Sequence, residues 1–248
     1  MPVELSPEQY YKAFKLLDDP IDDILMSFDL SKEKKKRVKA FMNKEGVLVI
    51  WNDSDVLMKA KTRSSAQDLL KAVPKDSKYA FLVSLPFSGL VREKFDRKEE
   101  VLCVNYVTRG TFKPVKVKEY EVVPLSIEHT SEIAKIWPYA KGNVTALDFV
   151  EKWPAYAIMD KGSPVSWGGL YLEDEHAAFT GMWYTRPGKK YRNKGMMKHI
   201  VSQIASDITG KGKILRADIR TDNIPSLKVA NSLGFMPHNF YSRLEPVV

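Results

Sequence analysis

The stretch 177–235 constrains this chain most, because it switches backbone period around one glycine-bearing turn. Ala177-Ala178-Phe179-Thr180-Gly181-Met182-Trp183-Tyr184-Thr185 reads as a strand. The basic segment Arg186-Pro187-Gly188-Lys189-Lys190-Tyr191 leads from it into Arg192-Asn193-Lys194-Gly195-Met196-Met197. From there apolar residues recur at Met197, Ile200, Val201, Ile204, Ala205 and Ile208, the spacing of one helical face. Gly210 and Gly212 stop that helix. A second strand (215–221) and a short helix ending in Leu233-Gly234-Phe235 complete the unit.

A glycine turn opening a helix has a specific physical use. The first main-chain N–H groups of a helix lack internal partners and lie at the positive end of its dipole. A turn that admits close approach makes them a cradle for phosphate. Arg186, Lys189, Lys190, Arg192, Lys194 and Lys198 surround this turn, so the ligand implied is compact and polyanionic. Taken by itself, the turn also fits a blander reading, a solvated basic loop ahead of a core helix.

About thirty residues further on stands Asn223-Ile224-Pro225-Ser226-Leu227-Lys228-Val229-Ala230-Asn231-Ser232-Leu233-Gly234-Phe235. Together the two segments resemble the GNAT superfamily of acyl-CoA-dependent N-acyltransferases. Its signatures are Arg/Gln-x-x-Gly-x-Gly/Ala and a later Asn-x-x-Ser/Ala helix closing in Leu-Gly-Phe. The resemblance covers roughly 118–248. Two positions depart from the pattern: Met197 replaces the last glycine or alanine, and Ala230 stands where the family often has a general-acid Tyr.

The resemblance implies an α/β (α+β) fold, a mixed, mostly antiparallel sheet with helices on both faces. It also implies acetyl-CoA as co-substrate, no metal, and transfer of the acetyl group to a primary amine by direct attack. In such a fold the strands before and after the long helix splay apart. The pantetheine arm would pair there with the main chain of Trp183, Tyr184 and Thr185, and a main-chain N–H would polarise the thioester. Lys190, Arg192, Asn193, Lys194, Gly195, Met196 and Met197 would hold the phosphates. Asn223 would meet the pantetheine or order the loop, with Ser226 capping or lining the next helix. A plain N-cap with Pro in the first turn explains Asn223-Ile224-Pro225 as well.

For the proton that the amine must lose, Glu173 and His176 are the preferred pair, at the entry to the motif strand. Asp218 is a third candidate, and a solvated hairpin turn is the competing reading of 173–176. Tyr241 or Tyr184 would replace the missing phenol. A CoA-binding module with little or no turnover is the alternative that Ala230 and Met197 motivate.

The remaining bounds come from the whole chain. A single cysteine, Cys103, excludes an internal disulfide and a Cys-rich metal site, and suits a reducing cytoplasm. No apolar run reaches membrane-spanning length, and the first ten residues carry no signal-peptide pattern, so a cytoplasmic location and no membrane partner are expected. The net charge of +8 favours anionic partners. Nucleic acid is not expected, because the basic run 32–39 reads as the solvated face of an amphipathic helix. The acceptor is expected to be a small-molecule or peptide amine, and the chain a monomer or homodimer.

The N-terminal half is mixed α/β in its own right, and Lys113-Pro114-Val115-Lys116-Val117-Lys118 is the best boundary, giving domains 1–115 and 118–248. Ser6-Pro7-Glu8-Gln9 opens one helix, and Ser31 caps another expected to run to Met42 and stop at Gly46. Strands are expected at 47–51, 56–61, 79–85 and 101–108, and helices at 64–73 and 88–96. This half lacks both motifs. Its two-domain layout with the C-terminal half is similar to that of glycine N-acyltransferase-like proteins, which favours a degenerate copy of the same fold over an unrelated lid.

Overall fold

The computed structural model describes residues 1–31, 38–75, 78–110, 112–115, 119–137 and 150–246. The chain forms two compact units, Met1–Val104 with Asn239–Val248, and Asn105–His238. The division thus falls before the basic 113–118 stretch, and the C-terminal strand groups with the N-terminal unit.

In the first unit the strands are β1 (Val3–Leu5), β2 (Val38–Asn43), β3 (Gly46–Trp51), β4 (Asp55–Ala60) and β5 (Ala80–Ser84). They are joined by β12 (Met236–Pro246), whose residues Tyr241–Leu244 pair antiparallel with β5. The order is β1-β2-β3-β4-β5-β12. Side chains alternate across a strand, so Val47 and Val49 face one core while Leu48 and Ile50 face another. A 3₁₀ helix (Pro7–Lys15) and α1 (Ile24–Ser31) supply the first, through Tyr10, Ala13, Met26 and Leu30. Helices α2 (Arg63–Leu70) and α3 (Leu85–Lys94) cover the second.

One expected element changes type. The helix expected from Ser31 to Met42 gives way to strand β2, which pairs with β3 from Val38↔Trp51 to Asn43↔Gly46. The Lys44-Glu45 turn folds the two strands into a hairpin, and Gly46 opens β3 instead of stopping a helix. Pairing with a neighbouring strand outweighs the weak helical spacing of Val38, Phe41 and Met42. Most of the basic run, 32–37, lies outside the described residues.

The second unit takes up β6 (Arg97–Val107) at Asn105. It continues with β7 (Val123–Pro124), a 3₁₀ turn (Ile127–His129), α4 (Thr130–Ile136), β8 (Ala155–Asp160), β9 (Ser163–Glu173) and β10 (Ala177–Thr185). Helix α5 (Met196–Gly210), β11 (Ile214–Arg220) and α6 (Ile224–Ser232) complete it. The strand order is β6-β11-β10-β9-β8-β7, antiparallel from β7 to β10 and parallel between β10 and β11.

Helix α5 buries Ile200, Val201, Ile204, Ala205 and Ile208. A Cβ at Gly168 would stand 3.4 Å from Ile200, so α5 packs on the face of β9 to which Gly168 points. Trp167 points the other way, into a cluster with Leu125, Ile133, Trp137 and Met182 under α4. The sheet is therefore covered on both faces. The sequence also predicts a helix at 145–153 preceded by a loop at 138–143; that loop and most of that helix lie outside the described residues.

Each unit carries the same local sequence of elements. In the first, β4–α2–β5 is a parallel pair joined by a helix, following the β2–β3–β4 meander. In the second, β10–α5–β11 is the counterpart, following β8–β9–β10.

Candidate active site

Strands β10 and β11 pair only from Ala177↔Ile214 to Thr180↔Ala217. Beyond Thr180 they separate, so the edge of residues 181–185 that faces β11 is left without a strand partner. The cause is local. Against β9, Gly181 pairs with Gly169 and Tyr184 with Trp167, so Met182 and Trp183 together oppose the single residue Gly168. That is a β-bulge, which bends its strand and raises its twist. Met182 sits at φ 56°, left-handed backbone that a non-glycine residue seldom adopts.

Side chains on both faces pin the bulge. The Trp183 indole N–H donates to Thr180 Oγ1 at 3.2 Å, and that hydroxyl donates to the Gly169 carbonyl at 2.8 Å. Tyr184 packs on Trp167, ring centres 4.7 Å apart, and Ser166 Oγ bonds the Tyr184 carbonyl and the Thr185 hydroxyl. Trp183, Tyr184 and Thr185 thus sit at the mouth of the opening, where the motif resemblance puts the pantetheine.

The turn into α5 presents its amides as the sequence requires. Asn193 (φ 60°) and Gly195 (φ 76°) are left-handed, and Gly195 is the N-cap with no side-chain cap bond. The first main-chain bond of the helix runs from His199 N–H to the Gly195 carbonyl. The N–H groups of 193–198 therefore meet no protein acceptor among the described residues. Arg192, Asn193 and Lys194 are exposed, and their side chains hold no ion-pair or hydrogen-bond partner among the described residues. Met196 is buried and Met197 half-buried.

The surrounding cations divide into two groups. Lys190 is bonded to the Asp160 carboxylate, which also accepts from the Tyr191 hydroxyl at 2.9 Å. The bond to Asp160 raises the Lys190 ammonium above its ordinary value, and the bonds from Lys190 and then Tyr191 hold the Asp160 carboxyl below its own. Arg186 is bonded to Glu132, and its Nε donates to the Pro164 carbonyl at 2.8 Å. Both tie the turn to the sheet, while Lys189, Arg192, Lys194 and Lys198 hold no ion-pair partner among the described residues.

Asn223 is the N-cap of α6 and accepts from the Ser226 main-chain N–H at 3.3 Å; Asn223 is exposed and Ser226 half-buried. Ala230 is fully buried. Glu173 and His176 stand at the closed end of the strand pair, where Glu173 opposes Ala178. From Ala178 to Met182 is about 13 Å at the rise of an extended strand. Glu173 Oε1 accepts from Lys213 Nζ at 2.6 Å and from Lys211 Nζ at 3.0 Å. Burial raises that carboxyl, but the hydrogen bonds from Lys213 and Lys211 outweigh it and hold it below the usual carboxylate range. His176 is exposed, and the Asp174 carboxylate accepts from the His176 and Ala177 N–H groups. Asp218 is hydrogen-bonded by Arg216 and Asn105. Tyr241 lies in the other unit, opposite Ser84.

One residue beside the bulge escapes sequence reasoning. Tyr171, on β9, lays its ring over Gly181 and stacks on Phe179, ring centres 5.3 Å apart; burial pushes its hydroxyl up to about 12, against a smaller downward pull from the Met182 main chain. The signal that could have found it is the cross-strand pairing of glycines with aromatic residues, which needs the register first.

No protein-family model matches the sequence, and no curated protein matches it. Solved structures do match. A Drosophila protein superposes with a TM-score of 0.72 at 16% identity, covering 99% of this chain and 98% of its own. A GCN5-related N-acetyltransferase-like protein from Streptococcus suis gives 0.65 at 17% identity, covering 97% and 99%. A tandem GNAT protein from the clavulanic acid biosynthesis pathway gives 0.61 at 11% identity, covering 100% and 99%. The chain has the GNAT fold, in the two-domain layout of a tandem GNAT protein. Among the described residues no helix is long and apolar enough to cross a membrane.

Proposed function

We propose that the chain is an acyl-CoA-dependent N-acyltransferase, in its simplest form moving the acetyl group of acetyl-CoA to a primary amine. The observation that carries this reading is the opening between β10 and β11 past Thr180 and Ala217, with the uncommitted amides of 193–198 at the adjoining helix start. A diphosphate suits those amides and the dipole behind them. Arg192 and Lys194 supply charge, and the main chain of Trp183, Tyr184 and Thr185 offers an edge for the amide groups of pantetheine.

The chemistry then needs little from side chains. The amine nitrogen attacks the thioester carbon, a C–N bond forms, and the carbonyl pair moves onto oxygen. As that pair returns, the C–S bond breaks and sulfur leaves as thiolate, while the surplus ammonium proton goes to solvent. A thiol of pKa about 8.5 is a good leaving group near neutral pH, so Ala230 in place of a phenol slows the step without forbidding it. Glu173 and His176, at the closed end, act as framework in this reading.

The second reading, a CoA-binding module without turnover, is favoured by the buried Ala230. Titration calorimetry with acetyl-CoA, followed by thiol release across a panel of polyamines, amino acids and peptide N-termini, separates the two. Binding with release supports the transferase, and binding without release supports the module. No heat at millimolar acetyl-CoA would overturn both.

A further inference from the structure

We propose that a cavity in the first unit binds an amphipathic monoanion, an aliphatic chain ending in a carboxylate, with the carboxylate held at Lys94. The proposal does not depend on the acyl-CoA reading above.

The cavity has a volume of about 1180 Å³, ample against the roughly 300–1,000 Å³ of ordinary small-molecule sites. Val3 and Leu5 of β1 and Met42 of β2 give it an aliphatic wall. Leu5 and Met42 belong to the core under the 3₁₀ helix, so that wall is anchored. Helix α2 and the end of α3 complete the lining. Asn43 clamps the two sides together. Its Nδ2 donates to the Ser65 carbonyl at 3.1 Å, and its Oδ1 accepts from the Ser65 hydroxyl at 2.8 Å.

The charges around the cavity divide unevenly. Both carboxylates that line it are engaged by protein donors. Glu45 accepts from the Thr62 hydroxyl at 2.7 Å, and Asp68 accepts from Lys71 at 3.2 Å and from Asn43 at 3.3 Å. Three of the cations have no such partner. Lys12 and Lys44 hold no ion pair or hydrogen bond among the described residues. Lys94 is half-buried and donates to the Leu70 carbonyl at the end of α2, but no carboxylate pairs with it among the described residues. An ammonium has three N–H donors, so two remain for another acceptor.

A half-buried charge is normally paired. Here the surroundings do the opposite: burial, and then the like charges of Lys75 and Lys71, hold the Lys94 ammonium below its ordinary value. A carboxylate bound beside it would neutralise that cluster.

The chemistry of the ligand follows from this lining. One half-buried cation lacks a counterion, so a single head charge matches it, and Lys12 and Lys44 draw an anion in from solvent. The side-chain cations that line the cavity are all lysines. No guanidinium offers the planar fork that favours phosphate. The aliphatic wall of Val3, Leu5 and Met42 calls for a hydrocarbon tail on the same molecule.

Titration calorimetry on the full chain compares octanoate, butyrate, 1-octanol and inorganic phosphate. One octanoate per chain is expected, with Kd on the order of 1 mM and a gain over butyrate of about two- to fourfold per methylene. Octanol and phosphate each keep half of the ligand and should bind at least about tenfold more weakly. Lys94→Gln still gives an N–H to the Leu70 carbonyl but removes the charge. It should weaken octanoate about tenfold and leave octanol unchanged, with circular dichroism confirming the fold. Lys12→Glu combined with Lys44→Glu changes side chains that hold no protein contact through their charge. It too should weaken octanoate, and it keeps the test decisive if Lys94→Gln fails to fold. Octanol or phosphate binding as tightly as octanoate would overturn the proposal. So would the absence of heat at millimolar octanoate, or an affinity unchanged in the folded variants. None of these outcomes bears on the acyl-CoA reading.

Discussion

Arg216 Nε donates to Asp218 Oδ1 at 2.7 Å and its Nη2 donates to Asp218 Oδ2 at 2.7 Å, although the two side chains are only 5% and 8% exposed. Two residues apart on β11, they point to one face, where the Asn105 amide adds a third bond to Asp218 at 2.6 Å. The guanidinium also lies 5.6 Å from the centre of the Phe179 ring.

Breaking this pair from one side leaves a buried charge exposed to no solvent. Asp218→Ala is expected to destabilise the protein by about 3–5 kcal/mol, read from urea unfolding. The double change Arg216→Met with Asp218→Leu removes both charges and should recover most of that loss. A double variant as unstable as Asp218→Ala would show that shape, not charge compensation, governs the site.

Glu173 offers a pH signature. Its carboxyl is held below the usual range in the folded state, so its contribution to stability is complete above the unfolded value of about 4.3 and is lost as pH falls toward the folded one. Glu173→Gln should therefore cost about 1 kcal/mol at pH 7 and flatten the loss of stability below about pH 5. Thiol release should be unchanged, because the residue belongs to the closed end of the strand pair. A large fall in kcat with normal stability would restore Glu173 as the base.

The glycine turn makes a different demand. Gly195 adopts φ 76°, where a β-branched side chain is penalised. Gly195→Val is expected to cost about 1–2 kcal/mol and to abolish acetyl-CoA binding, since the branched carbon stands among the amides of 193–198. Calorimetry against acetyl-CoA, with circular dichroism to check that α5 persists, reads both effects. Undiminished binding would remove the diphosphate from this turn.

How far the sequence reveals these features depends on whether the signal is local. Gly195 and the apolar face of α5 announce themselves within a few residues, because a left-handed cap and a helical stripe are short-range requirements. The Asn223 cap is legible for the same reason. Met182 carries no such mark: nothing in its identity indicates left-handed backbone, and the bulge exists only in the register with Gly168. Tyr171 is hidden similarly, since the place of its ring depends on a glycine across the strand. Val38–Asn43 misleads because a hairpin partner overrides weak periodicity, and the grouping of β12 with the first unit rests on pairing with a strand more than 150 residues away in sequence.

The repeated order of elements raises the question of whether the first unit also binds CoA, and its helix start answers it. Only Lys61 and Thr62 connect β4 to α2, and neither is left-handed. The Thr62 hydroxyl accepts from the Ser65 N–H at 3.2 Å, so the first turn of α2 spends an amide on its own cap. At the counterpart in the second unit, ten residues (186–195) separate β10 from α5, and no side chain caps the helix. Calorimetry should therefore return one acetyl-CoA per chain. Thr62→Ala should lower stability by about 1 kcal/mol without changing that number, because a freed amide on a two-residue connection still lacks the room a diphosphate needs. Two equivalents per chain in the wild type would show that the α2 start is an anion site despite its cap.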